Sequence, residues 1–255
     1  MKDWKNVANP GSAIGEAVGV LFEDEIKKLV EEECGDCDYI VDVGGPRPEI
    51  GRTTKKNIRL DRHGVTWEND VVVENSNYEP VILIECKWLR YTKHCRDKGG
   101  WVFTAHSLLR ESFPTIRKTM VTLAGSWTKS SIAMMEGNYT EVHLVPFDYV
   151  VKLLATYDIP FDWDEKDKET AHLAWERWNC LEEYQKTEIS QAMVAPIRDQ
   201  VRESVLDTIN WDERSNIEEV KITFRYDDGS ANTKIFSDPE DGLEYYKQLI
   251  GERGY

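Results

Sequence analysis

At 255 residues, with 40% hydrophobic residues and nine tryptophans, the chain can form one large core, or one core with a smaller appended domain. Its formal net charge of −15 argues against a basic surface over the whole molecule, and no charge-free apolar run approaches the ~20 residues that cross a bilayer. The sequence does not open with a signal-peptide pattern, and its five cysteines are scattered, so we expect a protein of the reducing cytoplasm. Whether the lone CxxC pair, Cys34 and Cys37, binds a metal is left open, because structural zinc sites usually have a second ligand pair.

The charge is distributed unevenly along the chain. Residues 46–130 contain 15 Lys and Arg against nine Asp and Glu, whereas residues 131–255 contain 13 against 27. We interpret the excess of positive charge as one side of a cleft in an otherwise acidic protein. The alternative is that the basic residues are clustered by chance in solvated loops.

The first half of the chain predicts a helix and a central hairpin. Apolar residues at three- and four-residue spacing predict an amphipathic helix over Gly15–Glu33, followed by a strand at Tyr39–Val43 and a long basic loop. The runs Val71–Val73 and Val81–Ile84 flank a polar turn and predict an antiparallel hairpin. The second run is apolar on both faces, which is typical of a strand in the middle of a sheet.

Alternating strands and helices are predicted after the hairpin. A basic connection ends at the paired glycines Gly99 and Gly100, and a helix follows from Phe103 to Lys118 with an end near Pro114. The expected elements then are a strand at 119–125, a helix at 127–135, a strand at 141–146 and a helix at 148–155. This order predicts a mixed α/β fold whose central sheet is flanked by helices.

A change to acidic composition predicts a domain boundary near residue 160. On this interpretation residues 1–159 form the core domain and residues 160–255 form an acidic C-terminal region for dimerisation or for embracing DNA. The C-terminal region is predicted to contain helical residues 168–208 interrupted at Pro196, a hairpin turning at 227–230 and a last helix at 241–250.

Glu85 and Lys87 place two charges at the end of the apolar central strand. Residues two apart in a strand share a face, and the hairpin register would bring Asp70 to the same point. Two converging carboxylates can bind a hard divalent cation such as Mg²⁺, and a neighbouring lysine can orient water or stabilise charge at phosphorus. The alternative is a simple ion pair at a strand end, worth ~0–1 kcal/mol.

Asp70, fourteen intervening residues and then Glu85-Cys86-Lys87 resemble the motif of the PD-(D/E)XK nuclease superfamily. Asn69 stands where the name of the motif has proline. The resemblance covers residues 12–158. It implies a restriction-endonuclease-like core, Mg²⁺ as cofactor and double-stranded DNA as substrate, with Asp70 and Glu85 as metal ligands and Lys87 as the residue that orients the attacking water.

The preceding helix resembles the same family at Gly19–Glu23. By this likeness Glu23 is a third catalytic carboxylate and metal ligand. Glu16 lies seven residues earlier on nearly the same helical face and is the alternative.

Basic residues on both sides of the motif are candidates for DNA contacts, and Trp88, Trp101 and Trp127 are candidates for stacking on bases. For the basic residues the alternative is a solvated loop. The candidate DNA-binding residues are Arg52, Lys55, Lys56, Arg59, Arg62, Arg90, Lys93, His94, Arg96 and Lys98.

The sequence thus predicts a Mg²⁺-dependent DNA endonuclease, with a type II restriction enzyme favoured. The size of the chain and its appended C-terminal region fit a homodimer that spans two strands, and the resemblance implies a cognate DNA methyltransferase in the same system. Two alternatives remain. One is a structure-selective repair or recombination nuclease that resembles Holliday junction resolvases. The other is a non-enzymatic acidic binding protein or DNA mimic.

Overall fold

The computed structural model describes residues 7–35, 37–210 and 217–253. These residues form two compact units, of which the first extends to Ile209 and the second begins at Asn210. Within the described ranges, no helix is long and apolar enough to span a membrane.

The first unit is a five-stranded mixed sheet with helices on both faces, which confirms the predicted fold class. Its helices are α1 (Pro10–Cys34), α2 (Cys95–Ser112), α3 (Lys129–Glu136), α4 (Phe147–Ala155), α5 (Lys168–Asn179), α6 (Glu183–Val194) and α7 (Arg198–Ile209). Its strands are β1 (Ile40–Asp42), β2 (Ile58–Leu60), β3 (Thr66–Glu68), β4 (Val71–Glu74), β5 (Pro80–Leu89), β6 (Lys118–Gly125) and β7 (Thr140–Pro146).

Strand β5 lies in the middle of the sheet, as its apolar sequence predicts. The strand order is β1-β4-β5-β6-β7, with β5 antiparallel to β4 and parallel to β6. Val71 pairs with Ile84, so Asp70 comes level with Glu85. Ile84 and Cys86 belong to the core on the α1 side of the sheet, so Glu85 and Lys87, which alternate with them, face the α2 side.

Helix α1 begins at Pro10, five residues before its predicted start. Asn9 caps it by accepting a hydrogen bond from the backbone N–H of Ser12 at 3.1 Å, and proline is well suited to the first helical turn because it lacks an N–H group. The helix buries an apolar stripe that includes Val18, Phe22 and Ile26. This stripe packs against β5 and against α5, α6 and α7, so α1 crosses the centre of the first unit.

Helix α2 corrects the prediction around the paired glycines. It begins at Cys95 rather than at Phe103, and Gly99 and Gly100 lie within its second turn. A Cβ atom on Gly99 would come within 3.0 Å of the Met134 side chain. Gly99 therefore allows α2 to approach α3 closely, instead of ending a connection.

Two further differences concern the predicted loop and the predicted domain boundary. The basic loop contains the antiparallel hairpin β2–β3, which is separate from the main sheet. The first unit continues past residue 160 to Ile209, because α5, α6 and α7 all pack on α1. Glu25 of α1 is buried and forms an ion pair with Arg198 of α7, which adds a charged contact to that packing.

The second unit consists of the strands β8 (Val220–Arg225) and β9 (Ala231–Phe236) and the helix α8 (Pro239–Arg253). The two strands form the predicted antiparallel hairpin. The rings of Phe224 and Tyr246 stack with centroids 6.5 Å apart, so the helix packs on the hairpin.

Candidate active site

Asp70, Glu85 and Lys87 converge at the carboxyl end of β5, where the strand period and the hairpin register place them. We call these three residues the candidate site. The ammonium of Lys87 lies 2.9 Å from Asp70 Oδ2 and also forms an ion pair with Glu85 Oε2. The backbone N–H of Cys86 donates to Asp70 Oδ2 at 2.8 Å, which fixes the carboxylate against the strand.

The candidate site has more carboxylate than its single lysine neutralises. Burial raises the pKa of Glu85 well above its usual value, and the nearby charge of Asp70 adds to this effect although Lys87 opposes it. Burial also acts on Asp70, but the charge of Lys87 and hydrogen bonds from Glu85 and the Cys86 N–H hold the pKa of Asp70 below its usual value. The pKa values of these two neighbouring carboxyl groups are therefore shifted in opposite directions, upward for Glu85 and downward for Asp70.

Two buried oxygens beside the candidate site have no hydrogen-bond partner among the described residues. They are Glu85 Oε1 and the side-chain oxygen of Asn69. The Glu85 side chain is only 1% exposed, and leaving such an atom unsatisfied costs ~1–3 kcal/mol. A partnerless carboxylate oxygen next to a second carboxylate is the donor set that a hard divalent cation takes.

The structure provides two carboxylates at this point and not three. Within the described residues no group of three or more His, Cys, Asp or Glu side chains could hold a metal ion. The nitrogen of Lys87 bridges Asp70 and Glu85. A cation there would have to bind with water or with a substrate oxygen completing its ligands, as Mg²⁺ commonly does.

The two helix carboxylates differ in their surroundings. Glu23 is half-buried and forms an ion pair with Lys27 at 2.5 Å, whereas Glu16 is exposed. Burial opposes the charge of Lys27, but the carboxylates of Glu23, Asp24 and Asp70 together raise its pKa. No hydrogen bond or ion pair within the described chain joins either glutamate to Asp70 or Glu85.

One aromatic ring lies near the lysine, and a second ring packs against the first. Lys87 Nζ lies 5.5 Å from the ring centroid of Trp101, and Trp101 meets Trp67 edge-on at 5.7 Å. The indole N–H of Trp67 donates to Asp61 at 3.0 Å. Of the three tryptophans proposed for stacking, Trp101 is the one beside the candidate site, whereas Trp127 packs in the core around α3.

His106 on α2 is a buried polar residue that sequence reasoning missed. It is fully buried, and neither ring nitrogen has a hydrogen-bond partner among the described residues. Burial lowers the pKa of His106 to about 3, and the positive charges of Arg110 and Lys87 act in the same direction. No histidine spacing in the sequence marks it, because its environment arises only when α2 packs on β5.

A second charged cluster uses arginines that the sequence assigned to DNA binding. Arg52 forms a two-pronged ion pair with Asp42 at 2.7 Å, and Arg59 contacts both Asp42 and Glu74. Arg47 joins the same two carboxylates at 3.1 and 2.7 Å. We call these five residues the arginine cluster. Arg52 and Arg59 are thus ion-paired with buried carboxylates, which corrects the prediction that these two residues contact DNA.

The lowered pKa of Asp42 shows that its arginine partners outweigh the effect of burial on this carboxylate. Burial alone would raise this pKa, but the guanidinium groups of Arg52 and Arg59 and the Gly44 N–H hold it far below its usual value. Sequence analysis missed this cluster because Asp42 and Glu74 come together only through the pairing of β1 with β4.

The remaining candidate DNA-binding residues lie at the surface, with the exception of Arg90. Lys56 pairs with Glu68, Arg62 with Glu111 and Lys93 with Glu165 in exposed ion pairs. Lys55, His94, Arg96 and Lys98 are also exposed. Arg90 instead stacks on Trp163 with its guanidinium carbon 3.4 Å from the ring centroid and donates to the backbone oxygens of Phe161 and Trp163.

Comparison with known proteins assigns no family to the chain. No protein-family model and no curated protein matches the sequence. A structural comparison finds the crystal structure of a protein of unknown function, AF1548, at 12% identity and a TM-score of 0.31, covering 75% of this chain and 100% of that one. A TM-score this low carries no conclusion about fold or function.

Proposed function

We propose that this protein is a Mg²⁺-dependent DNA endonuclease with a PD-(D/E)XK-type site. The observation that carries the proposal is the candidate site itself, with two converging carboxylates, one lysine and a buried carboxylate oxygen that has no partner in the described chain. A purely structural ion pair has no reason to keep such an oxygen unsatisfied, since the atom costs stability. Perturbed carboxyl groups at the end of a strand are typical of functional sites.

In this proposal Asp70 and Glu85 would hold the cation, and Glu23, which the structure does not bring into the same group, would assist only through a water molecule. The cation supplies a polarised phosphate and a water of lowered pKa when it is bound. Lys87 remains protonated, because its two carboxylate partners raise its pKa against the effect of burial. Its ammonium can orient the attacking water and stabilise the negative charge that develops on the phosphate oxygens as the P–O bond to the leaving group breaks.

We favour a type II restriction enzyme that cuts double-stranded DNA at a short sequence, acts as a homodimer and is paired with a methyltransferase. The five cysteines, all of them free, fit a cytoplasmic setting. A structure-selective repair nuclease is the second candidate. It is favoured by the groove described in the next subsection.

Cleavage assays with matched variants test the proposal. Plasmid and phage DNA, and then branched substrates, are incubated with the protein and Mg²⁺ or EDTA, using wild type, Asp70→Asn and Lys87→Ala. Asp148→Asn and Lys152→Ala are the controls, because these residues form an exposed ion pair of the same chemistry on α4.

We expect cutting only with Mg²⁺, its loss in both site variants and full cutting in both controls. Discrete fragments would identify a sequence-specific enzyme, and cutting confined to branched DNA would select the second candidate. Full metal-dependent activity of Asp70→Asn would refute the assignment. Failure to cut any of these substrates would favour the acidic binding protein instead.

A further inference from the structure

A groove opens next to the candidate site, on the α1 side of the sheet. It encloses about 830 Å³, within the ~300–1,000 Å³ that is usual for ligand sites. It is bounded by the first turns of α1, by the end of β5 and the turn after it, and by the approach to α5. All of these segments belong to the first unit.

Helix α1 has glycines where it faces Trp88 and Trp163, and the absence of side chains there leaves space for the groove. A Cβ atom on Gly15 would lie 3.6 Å from Trp88 Nε1, and one on Gly11 would lie 3.5 Å from Trp163. Larger side chains at these positions would project into the space above the two indoles. The glycines therefore keep the groove open along the helix.

One wall of the groove is held in place by Arg90. The guanidinium hydrogen-bonds the backbone oxygens of Phe161 and Trp163 and stacks on the Trp163 ring. These contacts tie the segment that leads into α5 to the end of β5, more than 70 residues earlier in the chain. A wall fixed in this way does not need to be ordered when a ligand binds, which favours affinity.

The groove is basic in an acidic protein. Lys93, His94, Lys98, Lys168 and His172 line it, against Glu165 and Asp167. Glu165 pairs with Lys93, and Asp167 caps α5 by accepting from the N–H and hydroxyl of Thr170. Within the described chain Lys98 and Lys168 are in no ion pair, so their charges are available to a ligand. With a net charge of −15, a local excess of lysine indicates an anionic ligand.

None of the three candidate-site residues lines the groove, but two elements connect the groove with that site. Trp88 directly follows Lys87 in β5 and lines the groove from the opposite face of the strand. On α2, Lys98 lies one turn before Trp101, the ring near Lys87. A polyanion that meets Lys87 can therefore continue past Lys98 into the groove.

We infer that the groove binds a single DNA strand that extends beyond the bond to be cut, so that the preferred substrate carries a single-stranded flap. This inference rests on the proposed function. Basic residues that follow the backbone and aromatic rings on which bases stack are the features of single-strand sites, and this groove has both. Lys98 and Lys168 contact the strand's phosphates, and the half-buried Tyr91 at the rim offers a ring on which a base stacks.

Binding of flapped and blunt DNA in EDTA tests the inference without cleavage. Fluorescence anisotropy compares a duplex carrying a 5′ or a 3′ flap with a blunt duplex of the same sequence. We expect one of the flapped duplexes to bind at least about tenfold more tightly, because stacking and phosphate contacts add to duplex binding. In Lys98→Ala/Lys168→Ala this ratio falls toward one. In the control Lys28→Ala/Lys152→Ala, which removes two exposed lysines elsewhere on the same unit, the ratio is unchanged.

Each other outcome overturns the inference. Equal affinity for flapped and blunt DNA, or an equal loss of the ratio in the control variant, would show that the groove does not recognise a single strand. Competition by deoxythymidine monophosphate at least as strong as that by the flap would assign the groove to a free nucleotide.

The binding assay in EDTA and the cleavage assay in Mg²⁺ together separate this inference from the nuclease proposal. Flap preference without cleavage in Mg²⁺ would leave the groove as a strand-binding site and refute the nuclease. Cleavage of DNA without flap preference would retain the nuclease and refute the groove's role.

Discussion

The candidate site and the arginine cluster are two buried groups of charges in the same sheet, and they are compensated very differently. In the arginine cluster three guanidinium groups surround the carboxylates of Asp42 and Glu74, and each oxygen of both carboxylates has a partner. In the candidate site one ammonium serves two carboxylates, and Glu85 Oε1 has no partner in the described chain. Correspondingly, the pKa of Asp42 is lowered and that of Glu85 is raised.

This difference fits a structural role for the arginine cluster and, on the proposed function, a ligand-binding role for the candidate site. A cluster in which every carboxylate oxygen is hydrogen-bonded loses stability when one member is removed, because the remaining charges stay buried. A buried carboxylate oxygen without a partner lowers stability, and on the proposed function a bound cation would supply the partner that Glu85 Oε1 lacks. Substitutions in and around the two clusters test these two roles, and the largest effect is expected at Glu85.

Glu85→Gln and Glu74→Gln form a matched pair of substitutions, since both residues are buried glutamates on adjacent strands. We expect Glu85→Gln to lower metal-dependent cleavage by about 10³-fold, because a neutral amide replaces a metal ligand. Its free energy of unfolding should be unchanged or higher, since the substitution removes an excess negative charge. Cleavage assays and urea denaturation measure the two effects. A Glu85→Gln protein with wild-type activity would contradict a functional role for the candidate site.

Glu74→Gln should show the opposite behaviour. It removes the charged partner of Arg47 and Arg59, so we expect the free energy of unfolding to fall by about 3 kcal/mol. The folded fraction should still cut DNA at close to the wild-type rate. Urea denaturation and specific activity at low temperature measure these quantities. An unchanged unfolding free energy would mean that the arginine cluster is not a stabilising element.

His106 lies on α2, on the same side of the sheet as the candidate site, and makes the free energy of unfolding depend on pH. Its pKa is lowered to about 3 in the folded protein, so it stabilises the fold only while neutral. This contribution is complete above the unfolded pKa of about 6.5 and is lost as the pH falls toward 3. Between pH 6.5 and 5.5 the unfolding free energy of wild type should drop by about 1 kcal/mol more than that of His106→Leu. Parallel curves for the two proteins would show that His106 is not held neutral by burial.

Trp101→Leu should have the smallest effect. The ring faces Lys87 at 5.5 Å, and a cation–π contact at a partly exposed site is worth ~0.5–1 kcal/mol. We expect kcat to fall by about three- to fivefold with little change in stability, because Trp101 is partly exposed. Trp127→Leu is the control, since Trp127 is a tryptophan packed on α3 and away from the lysine. A loss of activity in the control alone would contradict the role given to Trp101.

The candidate site was predictable because its geometry is local in sequence. The strand period places Glu85 and Lys87 on one face, and a short hairpin sets the register of Asp70. The partners of Arg52 and Arg59 were not predictable, because they depend on which strand β1 joins at the edge of the sheet. Likewise, Gly99 was interpreted as the end of a connection, although it serves packing against Met134. Composition placed a boundary at residue 160, where packing of three helices on α1 extends the unit to Ile209.

Titration of Mn²⁺ into the protein, followed by electron paramagnetic resonance, tests the central claim most directly. The account predicts that wild type and Glu74→Gln bind the ion with similar affinity and that Glu85→Gln binds it at least about tenfold more weakly, because Glu85, unlike Glu74, has a buried carboxylate oxygen without a partner in the described chain. Equal binding by all three proteins, or a loss confined to Glu74→Gln, would contradict the claim that the candidate site is the metal site.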